Sequence, residues 1–178
     1  MKRIDRVLKY KGSIVDVYDD VMQSPTGKIA HWDYVAHRKG AAAVLPVLED
    51  GRILMVRQYR NALDRFTLEI PAGKLDAPDE PKIECAAREL EEETGFRSET
   101  LEFLMTVNTT VAFCDEQIGV YIAKDLIPSK QHLDADESID VEEWEVKDLL
   151  EMIYTGKMTD AKTVAAISTY AIKYGAMV

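Results

Sequence analysis

The chain has 178 residues, 47% of them apolar, and a formal net charge of −10. That length suits one domain with a small appendage and is enough to bury a sizeable core, while the acidic balance argues against nonspecific binding to nucleic acid or anionic lipid. Two cysteines, Cys85 and Cys114, make no disulfide framework, and no cationic start followed by an apolar run, nor any apolar stretch near the ~20 residues of a membrane span, is present. No signal peptide, membrane or nucleic-acid partner is therefore expected, and a reducing cytoplasm is the expected compartment.

Residues 1–38 read as short strands. Ile14 to Tyr18 is rich in β-branched and aromatic residues, Ser24-Pro25-Thr26-Gly27-Lys28 is a turn cluster, and Ile29 to Val35 resumes an extended pattern. Such a meander has little core of its own and must lean on the main domain or on a second subunit. From Lys39 the pattern changes. Ala41 to Leu48 suits a strand buried on both faces, Glu49-Asp50-Gly51 a hairpin turn, and Arg52 to Arg60 a returning strand. Phe66 to Ile70 is a further strand, feeding Pro71-Ala72-Gly73, where glycine lets the backbone approach a ligand and expose a carbonyl.

A helix is predicted over about Pro81 to Thr94, with Asp79 or Glu80 placed to cap its start and Gly95 to end it. At ~100° per residue, Ile83, Ala87, Leu90 and Thr94 form an apolar stripe and Glu89, Glu92 and Glu93 an adjacent acidic one. Like charges at this spacing repel. Hard carboxylate oxygens so arranged suit Mg²⁺ or Mn²⁺, which also bind phosphates, although most Glu runs on helices are simply solvated faces. Beyond the helix, Leu101 to Val107 and Ile118 to Ala123 are strand candidates, Leu133 to Ser138 is an acidic loop, and Val141 to Val146 is a strand. Lys147 to Tyr154 and Asp160 to Tyr174 are helices, the second with Val164, Ile167, Ala171 and Ile172 on its core side. Strands, helix, strands and two helices imply an α+β fold, an α/β/α sandwich with a mixed sheet. The expected organisation is an N-terminal β region over 1–38 and a main domain over 39–178.

Gly73, Glu80, Arg88-Glu89-Leu90, Glu92-Glu93 and Gly95-Phe96 resemble the signature of the Nudix hydrolases, with one residue added between Gly73 and Glu80. Val56-Arg57-Gln58-Tyr59-Arg60, Leu68 to Asp76, Asp136 to Val141 and Gly156 to Thr163 resemble the family's ADP-ribose pyrophosphatase branch over nearly the whole chain. The resemblance implies metal-dependent hydrolysis of ADP-ribose to AMP and ribose 5-phosphate. In that reading the Ala72 carbonyl, Glu89, Glu93 and Glu92 hold Mg²⁺ (or Mn²⁺), and Glu137 handles the attacking water with Glu92 assisting. Arg60 binds the diphosphate, the Lys74 backbone contacts substrate, and Trp32 stacks on adenine. From the residues alone, Arg57 is a second candidate for the diphosphate, since a guanidinium fork suits such a group. A homodimer through the N-terminal strands is also implied, with Trp32 serving the partner's site. Val111-Ala112-Phe113 departs from the family's Pro-Gly there, at the sugar end of the pocket. The alternatives are a pyrophosphatase for another nucleoside diphosphate sugar, such as GDP-mannose or ADP-glucose, and a nucleotide sensor without catalysis.

Overall fold

The computed structural model describes residues 1–135 and 137–175; Asp136 of the acidic loop and residues 176–178 lie outside them. Strands β1 (Lys2–Lys11), β2 (Val15–Gln23) and β3 (Ile29–His37) form an antiparallel meander. Its centre is polar: the Arg6 guanidinium grips Asp20 in a fork, at 2.5 and 2.7 Å, and lies 3.8 Å from the centre of the Tyr34 ring. A sheet so small buries little apolar surface, and an ion pair under an aromatic ring supplies part of what a core would.

Next come β4 (Ala41–Pro46), β5 (Ile53–Arg60), β6 (Arg65–Glu69), β7 (Ala72–Lys74) and helix α1 (Lys82–Thr94). The chain continues with β8 (Phe96–Arg97), β9 (Thr100–Asn108), β10 (Gln117–Lys124), β11 (Ile127–Pro128) and β12 (Ile139–Trp144), and ends in α2 (Val146–Tyr154) and α3 (Ala161–Tyr174). One sheet runs β7-β4-β10-β9, with β4 parallel to β10 and the other pairs antiparallel; another runs β12-β5-β6. Every residue of β4 is buried. Its alternation divides the core: Ala41, Ala43 and Leu45 join Leu149 of α2 and Ile167 of α3, whereas Ala42 and Val44 join Cys85, Ala86 and Leu90 of α1. This is the expected α/β/α arrangement around a mixed sheet.

The Glu49-Asp50-Gly51 turn forms, with the Gly51 amide donating to the Leu48 carbonyl at 2.9 Å. Its flanking strands part after a single bridge, Val47 to Ile53. Both edges of β4 are already taken, by β7 and β10, so β5 turns away into the second sheet. The meander leans on the main body: the Val35 amide donates to the Phe113 carbonyl at 2.7 Å, and the His37 amide to the Asp115 carboxylate at 2.7 Å.

Three local expectations are corrected. Neither Asp79 nor Glu80 caps α1. Pro81 holds the cap position without a side-chain bond, because Glu80 instead accepts from the Asp76 amide at 2.5 Å and faces Arg88. The buried face of α1 is Cys85, Ala86, Glu89, Leu90, Glu93 and Thr94, leaving Ile83 43% exposed. On α3, Ile172 points to solvent, and the core face starts with Lys162 and Thr163 before passing to Ala166, Ile167, Tyr170 and Ala171. Polar residues belong to the inward faces of both helices, so a stripe drawn through apolar residues alone is rotated off the true one. Gly95 ends α1 as expected, in the left-handed region at φ 73° with its amide on the Glu91 carbonyl.

Leu90 is fully buried between α1 and β4. Leu90→Ala is expected to cost about 2–5 kcal/mol in unfolding free energy through lost burial and a residual cavity, measured by urea denaturation; a loss below about 1 kcal/mol would mean that α1 does not depend on this contact.

Candidate active site

A cleft of about 330 Å³ lies where α1 faces β7 and the end of β5. From β5 it receives Gln58 and Arg60, from β7 Ala72, Gly73 and Lys74, from α1 Arg88, Glu89, Glu92 and Glu93, and from the loop before β12 His132, Asp134 and Glu137. The backbone of β7 is what allows α1 so close. A Cβ at Gly73 would overlap the Glu89 carboxylate, so a larger residue here would push that side chain from its place. Beside it, the Ala72 amide donates to Glu93 Oε2 at 3.1 Å.

Two of the three carboxylates on the acidic face of α1 are buried, while the Glu92 side chain stays 39% exposed. Glu89 is 8% and Glu93 3% exposed. Burial pushes the Glu93 carboxyl up to about 8, and Glu89 and Glu137 add repulsion that the Ala72 amide only partly offsets. Glu89 is raised to about 7, again chiefly by burial, with Arg88 working against the shift and Glu92 and Glu137 for it. Arg88 is the local counter-ion: Nη1 donates to Glu89 at 2.7 Å and to Glu92 at 2.8 Å, while Nη2 donates to the Lys74 carbonyl at 3.1 Å. The helix, the strand and the carboxylates are thus fastened by one guanidinium.

One wall of the cleft is cationic. Arg60 donates from Nε and Nη2 to Glu69, at 2.8 and 2.6 Å, which leaves Nη1 without a protein acceptor among the described residues. Arg57 is elsewhere. Successive residues of a strand face opposite ways, so Arg60 and Gln58 share the cleft side while Arg57 turns to Glu142, at 2.5 Å, and does not line the cleft. Trp32 is half exposed on β3 and does not line it either. Glu137 does, with Oε2 accepting from the Asp134 amide at 3.1 Å.

Gln58 was given no role from sequence. Its Nε2 is the one buried side-chain nitrogen or oxygen without a hydrogen-bond partner among the described residues, and a buried donor left unpaired costs ~1–3 kcal/mol. An acceptor on a bound ligand would satisfy it. The available signal was its position two residues from Arg60 on the same face of β5.

The donors suit a hard divalent cation: several carboxylate oxygens lie in a partly buried cleft, and two of the carboxyls are pushed above their usual range, chiefly by burial and further by the carboxylates around them. As the side chains stand, no three His, Cys, Asp or Glu among the described residues converge as a ready cage. A divalent cation held here would draw on water or substrate oxygens besides the protein's own ligands. Since the ligating form is the carboxylate, protons would compete with a metal bound by these groups. Affinity for Mg²⁺ is expected to weaken about tenfold or more from pH 8 to pH 6, with proton release on binding near pH 7, both read by calorimetry in buffers of different ionisation heat. Affinity flat across that range would show that these carboxyls are ionised without metal.

A family model described as the NUDIX domain matches residues 37–167. The chain is 38% identical to an ADP-ribose pyrophosphatase of Bacillus subtilis over 97% of its own length and 93% of that protein's. It is also 38% identical to a methanol dehydrogenase activator of Bacillus methanolicus, over 89% and 85% of the two chains. A crystal structure of an ADP compounds hydrolase superposes with a TM-score of 0.87, covering 98% of this chain and 94% of the other at 21% identity, which is a likeness of fold. The chain belongs to the NUDIX family.

Proposed function

We propose that the protein is an ADP-ribose pyrophosphatase, hydrolysing the diphosphate of ADP-ribose to AMP and ribose 5-phosphate with Mg²⁺. The observation that carries this reading is the facing pair of walls in one cleft, buried carboxylates on α1 opposite the Arg60 guanidinium on β5, which suits an anionic diphosphate and the cation that accompanies it. The similarity in sequence to the Bacillus subtilis enzyme over nearly the whole of both chains supports the choice of substrate.

Glu89, Glu93 and Glu92, with the Ala72 carbonyl, would hold the metal. Once bound, the cation neutralises diphosphate charge and lowers the pKa of a coordinated water. The chain's own groups do the rest. Arg60 presents Nη1 to the phosphate oxygens, Gln58 supplies a further donor, and the Lys74 backbone contacts the substrate beyond the diphosphate. Glu137 sits across the cleft from α1, on a loop, and takes the proton of the attacking water.

Trp32 serves a different copy of the chain in this reading. The exposed apolar residues of the meander, among them Ile4, Val7, Leu8 and Tyr10, are the surface through which two copies would join, bringing the indole of one to the adenine site of the other. The free state of both cysteines supports a reducing, cytoplasmic setting. Among the described residues no helix is long and apolar enough to cross a membrane, and the substrate is the only non-self partner invoked. Hydrolysis of GDP-mannose or ADP-glucose by the same cleft is the alternative, since the carboxylates act on the diphosphate and do not read the base.

Purified protein with Mg²⁺ is expected to prefer ADP-ribose over ADP-glucose and GDP-mannose and to release AMP, identified by chromatography; preference for a guanine sugar would move the assignment. Glu137→Gln is expected to lose about 10²–10⁴-fold in kcat, the worth of a general base, while Mg²⁺ binding measured by calorimetry is retained. Trp32→Ala should raise KM for ADP-ribose at least several-fold with the sedimentation behaviour of a dimer unchanged, and a wild-type monomer in sedimentation would remove the indole from the adenine site.

A further inference from the structure

Behind Arg60, outside the set of residues assigned above, lies a buried polar cluster. Lys162, on the first turn of α3, is 7% exposed, and its Nζ donates to Glu69 at 2.5 Å and to Asp160 at 2.9 Å. Glu69, at the end of β6, is 2% exposed. Its oxygens accept four bonds: from Arg60 Nε at 2.8 Å, Arg60 Nη2 at 2.6 Å, Thr67 Oγ1 at 2.6 Å and Lys162 Nζ at 2.5 Å. Four is about the acceptor capacity of a carboxylate. Two cations and two anions balance; Glu69 and Lys162 are the buried pair, while the Arg60 and Asp160 side chains keep 40% and 25% exposure, so removing Lys162 leaves the buried Glu69 less compensated.

The same turn of helix reaches a second part of the cleft. Asp160 caps α3, accepting from the Thr163 amide at 3.1 Å and the Thr163 hydroxyl at 2.6 Å. That hydroxyl in turn accepts from the Ile70 amide at 3.0 Å, two residues before Ala72. The start of α3 is therefore tied, through Glu69, to the guanidinium that walls the cleft and, through Ile70, to the segment that leads into β7.

We infer that Lys162 is a positioning residue for diphosphate recognition: together with Glu69 it fixes the Arg60 guanidinium so that Nη1 faces the cleft. This rests on the reading of Arg60 as a diphosphate ligand. Burial works to raise the Glu69 carboxyl, but Arg60 and Lys162 outweigh it and hold it down at about 2, so the carboxylate is ionised throughout the working range and the frame does not loosen with pH there. Without Lys162, Glu69 keeps only Arg60 as a cation, and the guanidinium is free to follow the carboxylate as it seeks water. A guanidinium displaced by an ångström no longer matches the substrate, and misplacement of that order costs about 10²-fold in rate.

The test is a double-mutant cycle of Lys162→Met and Arg60→Met, read as kcat/KM for ADP-ribose and, independently of turnover, as the Kd of ADP with Mg²⁺. Lys162→Met in the wild-type background is expected to lower kcat/KM about 10–100-fold and to weaken ADP. In the Arg60→Met background it is expected to change either quantity less than about threefold, because the group it positions is gone. Equal losses in both backgrounds would overturn the inference and leave Lys162 a purely structural residue. Glu69→Gln, near-isosteric with the native side chain, is run beside it and should give the same pattern, which keeps the cycle decisive if Lys162→Met does not fold. Absence of ADP-ribose turnover by the wild type would instead count against the proposed function, and the ADP-binding cycle would still decide whether Lys162 acts through Arg60.

Discussion

The arrangement depends on two carboxylates buried at the joint of α1 and β7. Glu89 rests against the backbone of Gly73, and Glu93 accepts from the Ala72 amide. Taking charged groups out of water costs several kcal/mol each unless they are paired, and a chain with a net charge of −10 has few cations to spare. The structure meets that cost only partly. Arg88 reaches Glu89 and Glu92, while Glu93 keeps only a backbone amide and Arg60 at a distance, and the two buried carboxyls ride at about 7 and about 8. A site left short of positive charge in this way has an electrostatic reason to take up a divalent cation and is built from the oxygen ligands such a cation prefers.

Glu69 shows the opposite treatment at the same depth. It is buried as completely as Glu93, yet two cations and a hydroxyl saturate its oxygens and its carboxyl lies at about 2. The cleft is thus framed by two kinds of buried acid. Those on α1 are under-neutralised and suited to exchange a proton or bind a cation. The one on β6 is over-neutralised and inert, and acts as scaffolding. The division follows from which element faces each group: α1 presents its acidic side to the backbone of Ala72 and Gly73, and the Lys74 side chain pairs with none of its carboxylates among the described residues, whereas Glu69 meets Arg60 from the adjacent strand and Lys162 from α3.

This frame also explains how little of the cleft belongs to the meander. β1, β2 and β3 hang on the main body through the backbone of Val35 and the carboxylate of Asp115, and their apolar side chains remain outward. The residues that line the cleft fall within 58–137.

Local pattern determined a good deal by itself. A continuous apolar run can only be a strand covered on both faces, which is β4; the glycine at 95 ends a helix because its conformation is open to little else; and carboxylates three and four residues apart must share a face. The spacing of Glu89, Glu92 and Glu93 therefore puts three carboxylates on one side of α1, and the likeness of Gly73, Arg88, Glu89, Glu92, Glu93 and Gly95 to the Nudix signature implies what they do. Only the tertiary structure decided which charges are buried. The inward rotation of Glu89 and Glu93, the outward turn of Ile83 and Ile172, and the pairing of Glu69 with Lys162, 93 residues away, come from packing between elements distant in the chain, and periodicity counts a charged residue as exposed. The fates of the two arginines on β5 were half legible, since alternation puts Arg57 and Arg60 on opposite faces, but which face meets the cleft is set by β6, β12 and α3. Long-range contacts select among the faces that the local sequence offers, because a side chain's burial depends on what lies across from it and not on its neighbours in the chain.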